Sequence, residues 1–138
     1  MNKSTKQVHV FLIHAHSNRD AVHNLHHRLR RDGIDAWLDV ERLRPGDDWQ
    51  KEIQRAILKS DVVIVCLSRA FNELHGYRHE ELKLALKKAS LLVDEVFVIP
   101  VRLEDCDMPE SLQHLHRVDL FKAGGYKKLV KALKNLDD

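Results

Sequence analysis

A chain of 138 residues, 43% hydrophobic and 32% charged, has the size and balance of one soluble globular domain; two cores do not fit and the apolar content is too high for disorder. Its 23 Lys or Arg against 21 Asp or Glu leave a formal charge of +2, which speaks against a dedicated nucleic-acid binder. Two cysteines exclude a secreted disulfide scaffold, and no apolar run approaches the ~20 residues of a membrane helix.

In chain order, Met1 to Gln7 lacks a hydrophobic signal core and reads as a flexible tail on a single domain spanning residues 1–138, which makes the chain cytoplasmic by expectation. Val8 to Ile13 is a short β-branched apolar run and predicts a buried strand. Ser17, three residues before Asp20, predicts a capping-box helix start. Val22, Leu25 and Leu29 follow at helical spacing, and Gly33 ends that helix. Ile34 to Leu38 predicts a second strand, and Asp39 to Asp48 a polar loop with a Pro45-Gly46 turn. Asp47 and Gln50 are placed to box the next helix, whose apolar stripe is Trp49, Ile53, Ala56 and Ile57.

Val62 to Leu67 is apolar on both faces, as a central parallel strand should be. A loop from Ser68 to about Gly76 leads into a helix with Leu82, Ala85, Leu86 and Ala89 on its core side. Val96 to Val101 predicts a fourth strand, irregular or at an edge because of Pro100. Arg117 to Leu120 predicts a fifth, and Gly124-Gly125 precedes a last helix carrying Leu129, Ala132 and Leu133. Alternating strands and helices imply an α/β flavodoxin-like three-layer sandwich, with a five-stranded parallel sheet in the order 2-1-3-4-5 and helices on both faces.

In such a sheet a ligand binds beyond the carboxyl ends of the strands, where the strand order reverses. That crevice should be walled by His14 to Asn18 and by Ser68 to Gly76, with the loop from Asp39 at its rim. Glu80 and Glu81 open the following helix. Both fit solvated helix-start acids, yet they are not equivalent. Glu81 is four residues from Tyr77 and from Ala85, so it borders the buried stripe, while Glu80 lies ~100° away.

Several stretches together resemble a Toll/interleukin receptor (TIR) domain of the bacterial type, over nearly the whole chain. They are Val10-Phe11-Leu12-Ile13-His14, Ala36-Trp37-Leu38-Asp39, Leu43-Arg44-Pro45-Gly46-Asp47-Asp48-Trp49, Val63-Ile64-Val65-Cys66-Leu67-Ser68 and Tyr77-Arg78-His79-Glu80-Glu81-Leu82. Many members cleave NAD at the nicotinamide–ribose bond using a glutamate on the helix after the third strand; the position that matches it is Glu81. NAD is then a substrate, and neither a cofactor nor a metal is implied. Nicotinamide in NAD is already a cationic leaving group, so one carboxylate that holds the ribose and stabilises an oxocarbenium-like transition state suffices. The resemblance also implies substrate contacts from His14, Ala15, His16, Asp39, Arg44, Ser68, His75 and Tyr77. Arg42, Pro45 and Gly46 fall in the loop that often completes a neighbour's site, so a homo-oligomer formed through TIR–TIR contacts is implied, with room for a fused or separate sensor domain, no direct nucleic acid and no membrane. Arg42 and Arg44 can meet a diphosphate or simply belong to a mixed-charge loop. In bacteria such a protein would be an immune effector. Products would be ADP-ribose or a cyclic isomer. The alternative is a non-catalytic adaptor acting through homotypic contacts.

Ten histidines stand out. His23 and His27, and His75 and His79, are spaced to chelate, but no thiol or complete ligand set accompanies them, so no metal site is expected. Trp37, Trp49 and Tyr77 are candidate stacking surfaces or core. A phosphoacceptor response regulator would need acids after the first strand and an Asp ending the third; His14 to Ser17 and Ser68 stand there instead.

Overall fold

The computed structural model describes residues 7–38, 44–73 and 77–136, with the side chains of Trp49, Tyr77 and Arg78 outside the description. Along the chain run β1 (His9–Ile13), α1 (Arg19–Arg31), β2 (Asp35–Leu38), α2 (Trp49–Lys59), β3 (Val62–Leu67), α3 (Arg69–Asn72), α4 (Tyr77–Leu91), β4 (Val98–Arg102), β5 (Val118–Asp119) and α5 (Gly125–Lys134). The strands pair in the order β2-β1-β3-β4-β5, all parallel. The expected topology is therefore the observed one. No helix among the described residues is long and apolar enough to cross a membrane.

All six residues of β3 are buried. Side chains alternate across a strand, so Val62, Ile64 and Cys66 join one core while Val63, Val65 and Leu67 join the other. The first core is closed by α1 and α5 through Leu25, Leu29, Leu129 and Leu133. The second is closed by α2, α3 and α4 through Ile53, Ile57, Phe71, Leu82 and Ala85. Burial pushes the Cys66 thiol up to about 12, so it is an inert core group.

Of the two expectations for Pro100, an irregular or an edge position, the edge strand is not observed. Pro100 sits opposite Val65 in β4, which runs between β3 and β5. Val63 donates to Phe97 O and Leu103 to Leu67 O, so residues 97, 99, 101 and 103 serve β3. Pro100 faces the other side, where pairing with β5 begins only at Val101 opposite Val118. No ladder partner is waiting for the N–H that proline lacks.

Helix ends also depart in detail. A 3-10 turn, His16–Asn18, precedes α1, and Ser17 makes no capping bond there. The α2 cap is Asp48, which accepts from Lys51 N at 3.3 Å; Asp47 serves the turn before it. The segment expected as a loop after β3 contains the one-turn α3. At the end of α1, Ile34 N bonds Leu29 O and Gly33 N bonds Arg30 O, a Schellman stop with Gly33 at φ +86°. Gly125 starts α5 against β5, where a Cβ would lie 2.2 Å from Asp119 O.

Beside that contact, the nearly buried Arg102 guanidinium donates to both oxygens of Asp119, at 2.7 and 2.9 Å, and to Asp105 and Cys106 O at 3.0 and 2.8 Å. The Arg102 hydrogen bonds hold the Asp119 carboxyl well below the usual range, outweighing the opposing effect of burial. A depressed folded-state value stabilises the fold above about pH 4 and loses that contribution as pH falls. Asp119→Asn should therefore cost about 3 kcal/mol in urea unfolding at pH 7, since it leaves Arg102 without its buried partner. Between pH 5 and pH 2 the variant's stability should change less than the wild type's.

Candidate functional site

The carboxyl ends of β1 and β3 lie side by side, and the chain leaves them in two short turns. After β1, His14 and Ala15 are buried and His16 is exposed. After β3, Ser68 is fully buried. Its hydroxyl donates to Asn18 Oδ1 at 2.5 Å and accepts from Phe71 N at 2.9 Å. One side chain thus joins the two turns and caps α3. Asn72 Nδ2 donates to Asp107 O at 2.8 Å and Arg69 N to Glu104 Oε2 at 2.9 Å, tying α3 to the segment after β4. The Phe71 ring meets His79 of α4 at 5.9 Å between centroids. This chain of contacts seats the first turns of α4.

The other end of α4 is held by Lys88. Its ammonium donates to Leu58 O at 2.5 Å and Ser60 O at 3.1 Å, and lies 4.3 Å from the centre of the Phe97 ring. Cations at a helix C-terminus are favoured there by the last carbonyls of α2. Burial lowers the Lys88 pKa, with the charges of Asp61 and Glu95 opposing that effect.

Between α2 and α4 runs a cavity of about 290 Å³. Ile53, Ile57 and Leu84 line its apolar part; Gln50, Gln54 and Glu81 supply polar groups, with the exposed Glu80, Lys83 and Lys87 at its border. Glu81 is only 5% exposed, whereas Glu80 is exposed and faces Lys83 at 3.4 Å. The two neighbouring acids are therefore separated into a buried one and a solvated one, in the sense that the helical spacing indicated. Gln50, expected only as a capping-box partner, and Gln54 were not singled out from the sequence as site residues. Their i, i+4 spacing beside Ile53 and Ile57 is the signal that would have found them.

A larger hollow of about 890 Å³ opens at the ends of β4 and β5. It lacks Glu81. Its principal charges already satisfy one another, with Arg102 and Arg117 both bonded to Asp119. Mutually matched ions leave little unmet demand for a ligand, so the smaller cavity is the better candidate site.

Arg44 is exposed; its N–H donates to Asp47 Oδ2 at 2.8 Å, and Asp47 N donates back to Arg44 O at 3.0 Å. Pro45 and Gly46 are the middle of that turn, with Gly46 at φ +91°, the type II arrangement that needs glycine. Trp37 packs edge-on against Phe11 at 5.3 Å and borders a different hollow, with His9, Asp35 and Arg55. Asp39, Arg42 and His75 lie outside the described residues, as does the side chain of Tyr77, whose backbone opens α4. Among the described residues no group of three or more His, Cys, Asp or Glu is arranged to hold a metal ion.

The TIR domain family profile matches residues 10–134. A 2' cyclic ADP-D-ribose synthase, BtTIR, from Bacteroides thetaiotaomicron is 34% identical over 77 residues, covering 55% of this chain and 27% of that protein. An NAD(+) hydrolase, PdTIR, from Paracoccus denitrificans is 38% identical over 63 residues, covering 45% of this chain and 21% of that protein. The chain thus spans only about a quarter of the length of these relatives. Among solved structures, the TIR domain of the Toll-related receptor TRR-2 from Hydra magnipapillata superposes with a TM-score of 0.77 at 24% identity, over 91% of this chain and 98% of that one. That likeness is one of fold.

Removing the Ser68 hydroxyl deletes both the α3 cap and the link to Asn18. Ser68→Ala should lower the unfolding free energy by about 1–2 kcal/mol, read from the urea midpoint at unchanged m-value.

Proposed function

The chain belongs to the TIR domain family, and from that premise we propose that it cleaves NAD at the nicotinamide–ribose bond, with Glu81 as its catalytic residue. The observation that carries this reading is the buried carboxylate of Glu81 in the wall of the cavity between α2 and α4. The NAD chemistry of the two bacterial relatives supports the substrate class.

In this reading the C1′–N bond breaks and its electron pair returns to the nicotinamide ring, neutralising the pyridinium. Positive charge develops on the ribose ring. Glu81 accepts a hydrogen bond from a ribose hydroxyl, fixing the sugar, and its negative charge stabilises the cation that forms. Both effects are strengthened by burial, because water screens the carboxylate less. Attack by water at C1′ yields ADP-ribose and a proton. Attack by a nucleophile elsewhere on the same molecule yields a cyclic isomer.

A cavity of about 290 Å³ is at the low end for small-molecule sites, with room for a nucleoside-sized fragment. The rest of the dinucleotide needs other walls. We assign those to His14, His16 and the backbone of Ala15 at the end of β1, to His75 and Tyr77 ahead of Glu81, and to Asp39 and Arg44 of the loop after β2. Ser68, whose hydroxyl is already engaged, contributes by holding the crevice together. The exposed Arg44-Pro45-Gly46 turn, with Arg42 before it, suits a role in trans. In this reading a second copy brings that loop to complete the site, so the active form is a homo-oligomer, and its task is that of an immune effector switched on by assembly.

Concentrated protein incubated with NAD should release nicotinamide, followed by chromatography with mass detection. Glu81→Gln should reduce release by about 100-fold or more while the circular dichroism stays unchanged. Glu80→Gln keeps the size of a side chain that borders the same cavity but is exposed and faces Lys83, so it should stay within about threefold of wild type. Equal losses from both variants would refute the assignment, and no release at any concentration would favour the adaptor reading. Gly46→Ile forces a β-branched residue to φ +91°. It should lower both light-scattering mass and activity; normal values of both would remove the turn from the mechanism.

A further inference from the structure

The whole-chain charge of +2 conceals a strong segregation. The thirteen residues of α1 and the ten of α5 hold Arg19, Arg28, Arg30, Arg31, Lys127, Lys128, Lys131 and Lys134 against a single acid, Asp20. These two helices cover the same face of the sheet. They meet where the Arg28 guanidinium lies 3.7 Å over the Tyr126 ring and the Tyr126 hydroxyl donates to Asp32 at 2.5 Å. On α5, Leu129 and Leu133 point inward. Lys127, Lys131 and Lys134 are therefore on the outward side at i, i+4 and i+7, all exposed. On the opposite layer α2 and α4 also carry acids, and two of their exposed cations pair with them, Arg55 with Glu52 and Lys83 with Glu80, while among the described residues Lys51, Lys59 and Lys87 do not. Among the described residues, no such ion pair involves Arg28, Arg31, Lys127, Lys131 or Lys134.

We propose that this paired-helix face binds the phosphate backbone of a nucleic acid without base selectivity. The proposal is independent of the NAD reading. Three classes of occupant compete for a surface this basic, and one feature separates them. The exposed large hydrophobics of the described residues are Leu58, Leu91, Val93, Val96 and Phe121, and none is on α1 or α5. A membrane-surface helix inserts apolar side chains, and a protein partner needs an apolar or aromatic core at the interface. This face has no exposed large apolar side chain, and its one aromatic, Tyr126, is half-buried beneath Arg28 and already bonded to Asp32. A second copy through the same face would set lysines against lysines. Phosphate-backbone binding needs only well-placed cations, because its free energy comes largely from counterion release. The Lys127-Lys131-Lys134 row rises roughly 10 Å along the helix, about three phosphate steps of one strand.

The test is fluorescence anisotropy of a labelled 20-base-pair DNA titrated with the full chain at several salt concentrations. Five contacts from Arg28, Arg31, Lys127, Lys131 and Lys134 predict a slope of about −4.5 in log affinity against log salt, a loss of roughly 500-fold between 50 and 200 mM. The triple variant Lys127→Gln, Lys131→Gln, Lys134→Gln should bind at least tenfold more weakly at 50 mM, with a slope shallower by about 2.7. Lys51→Gln with Lys59→Gln on α2 should leave the slope unchanged. Circular dichroism of each variant separates lost binding from lost fold. No binding at 50 mM salt, equal effects of the two variants, or binding to phosphatidylserine vesicles without binding to DNA would overturn the proposal.

Discussion

Everything about this molecule's layout depends on β3 being buried on both faces. A strand with six consecutive apolar side chains cannot tolerate water on either side, so helices must cover both. With β1 and β4 as its neighbours, β3 also fixes where the strand order reverses. The chain leaving β3 is immediately capped and tied to the turn after β1 by Ser68. From there, the contacts of Phe71 and Lys88 settle how α4 lies against α2. Glu81 is buried because α4 is seated in this way. A requirement of the core is thus translated, through a few polar contacts, into the position of one carboxylate.

Much of this is legible in the sequence because it follows from periodicity. Val62 to Leu67 can only be an interior strand, and the i±4 relation of Glu81 to Ala85 distinguishes it from Glu80 before any coordinates are available. What escapes is whatever is decided by competition between neighbours. Ser17 looks like a cap, but the chain turns through a 3-10 segment there, and Asn18's side chain is claimed by Ser68 from 50 residues away. Asp47 and Asp48 are both plausible caps; the turn at Pro45-Gly46 takes one and leaves the other for α2. Pro100 looks like an edge residue because proline lacks a donor, and only the shortness of β5 makes its interior position free of cost. Gln50 and Gln54 share a helix face by their spacing, but that spacing marks a site only once α4 lies across the cavity from them.

Charge shows the same limit of one-dimensional reading. A sum over the chain is nearly neutral, but folding sorts the residues in space. Acids collect in the segments around β4 and β5, where Asp105 and Asp119 bond Arg102. Cations collect on α1 and α5. The proposed site at Glu81 lies in the layer of α2 and α4, while the opposite layer of α1 and α5 presents its own electrostatic character. The two proposed functions, on opposite faces of one sheet, would not compete for space.

The brevity of β5 has a consequence for how copies of this chain can associate. Exposed strand edges are where sheets grow by adding strands from other molecules. Here one border of the sheet is two residues long and the other, β2, has four. Among the described residues, neither offers enough unpaired backbone for a stable intermolecular ladder. The assembly proposed above would then be stitched together by side chains of loops and helices rather than by added strands. Such an assembly can be reversible where a cross-β fibre would be permanent.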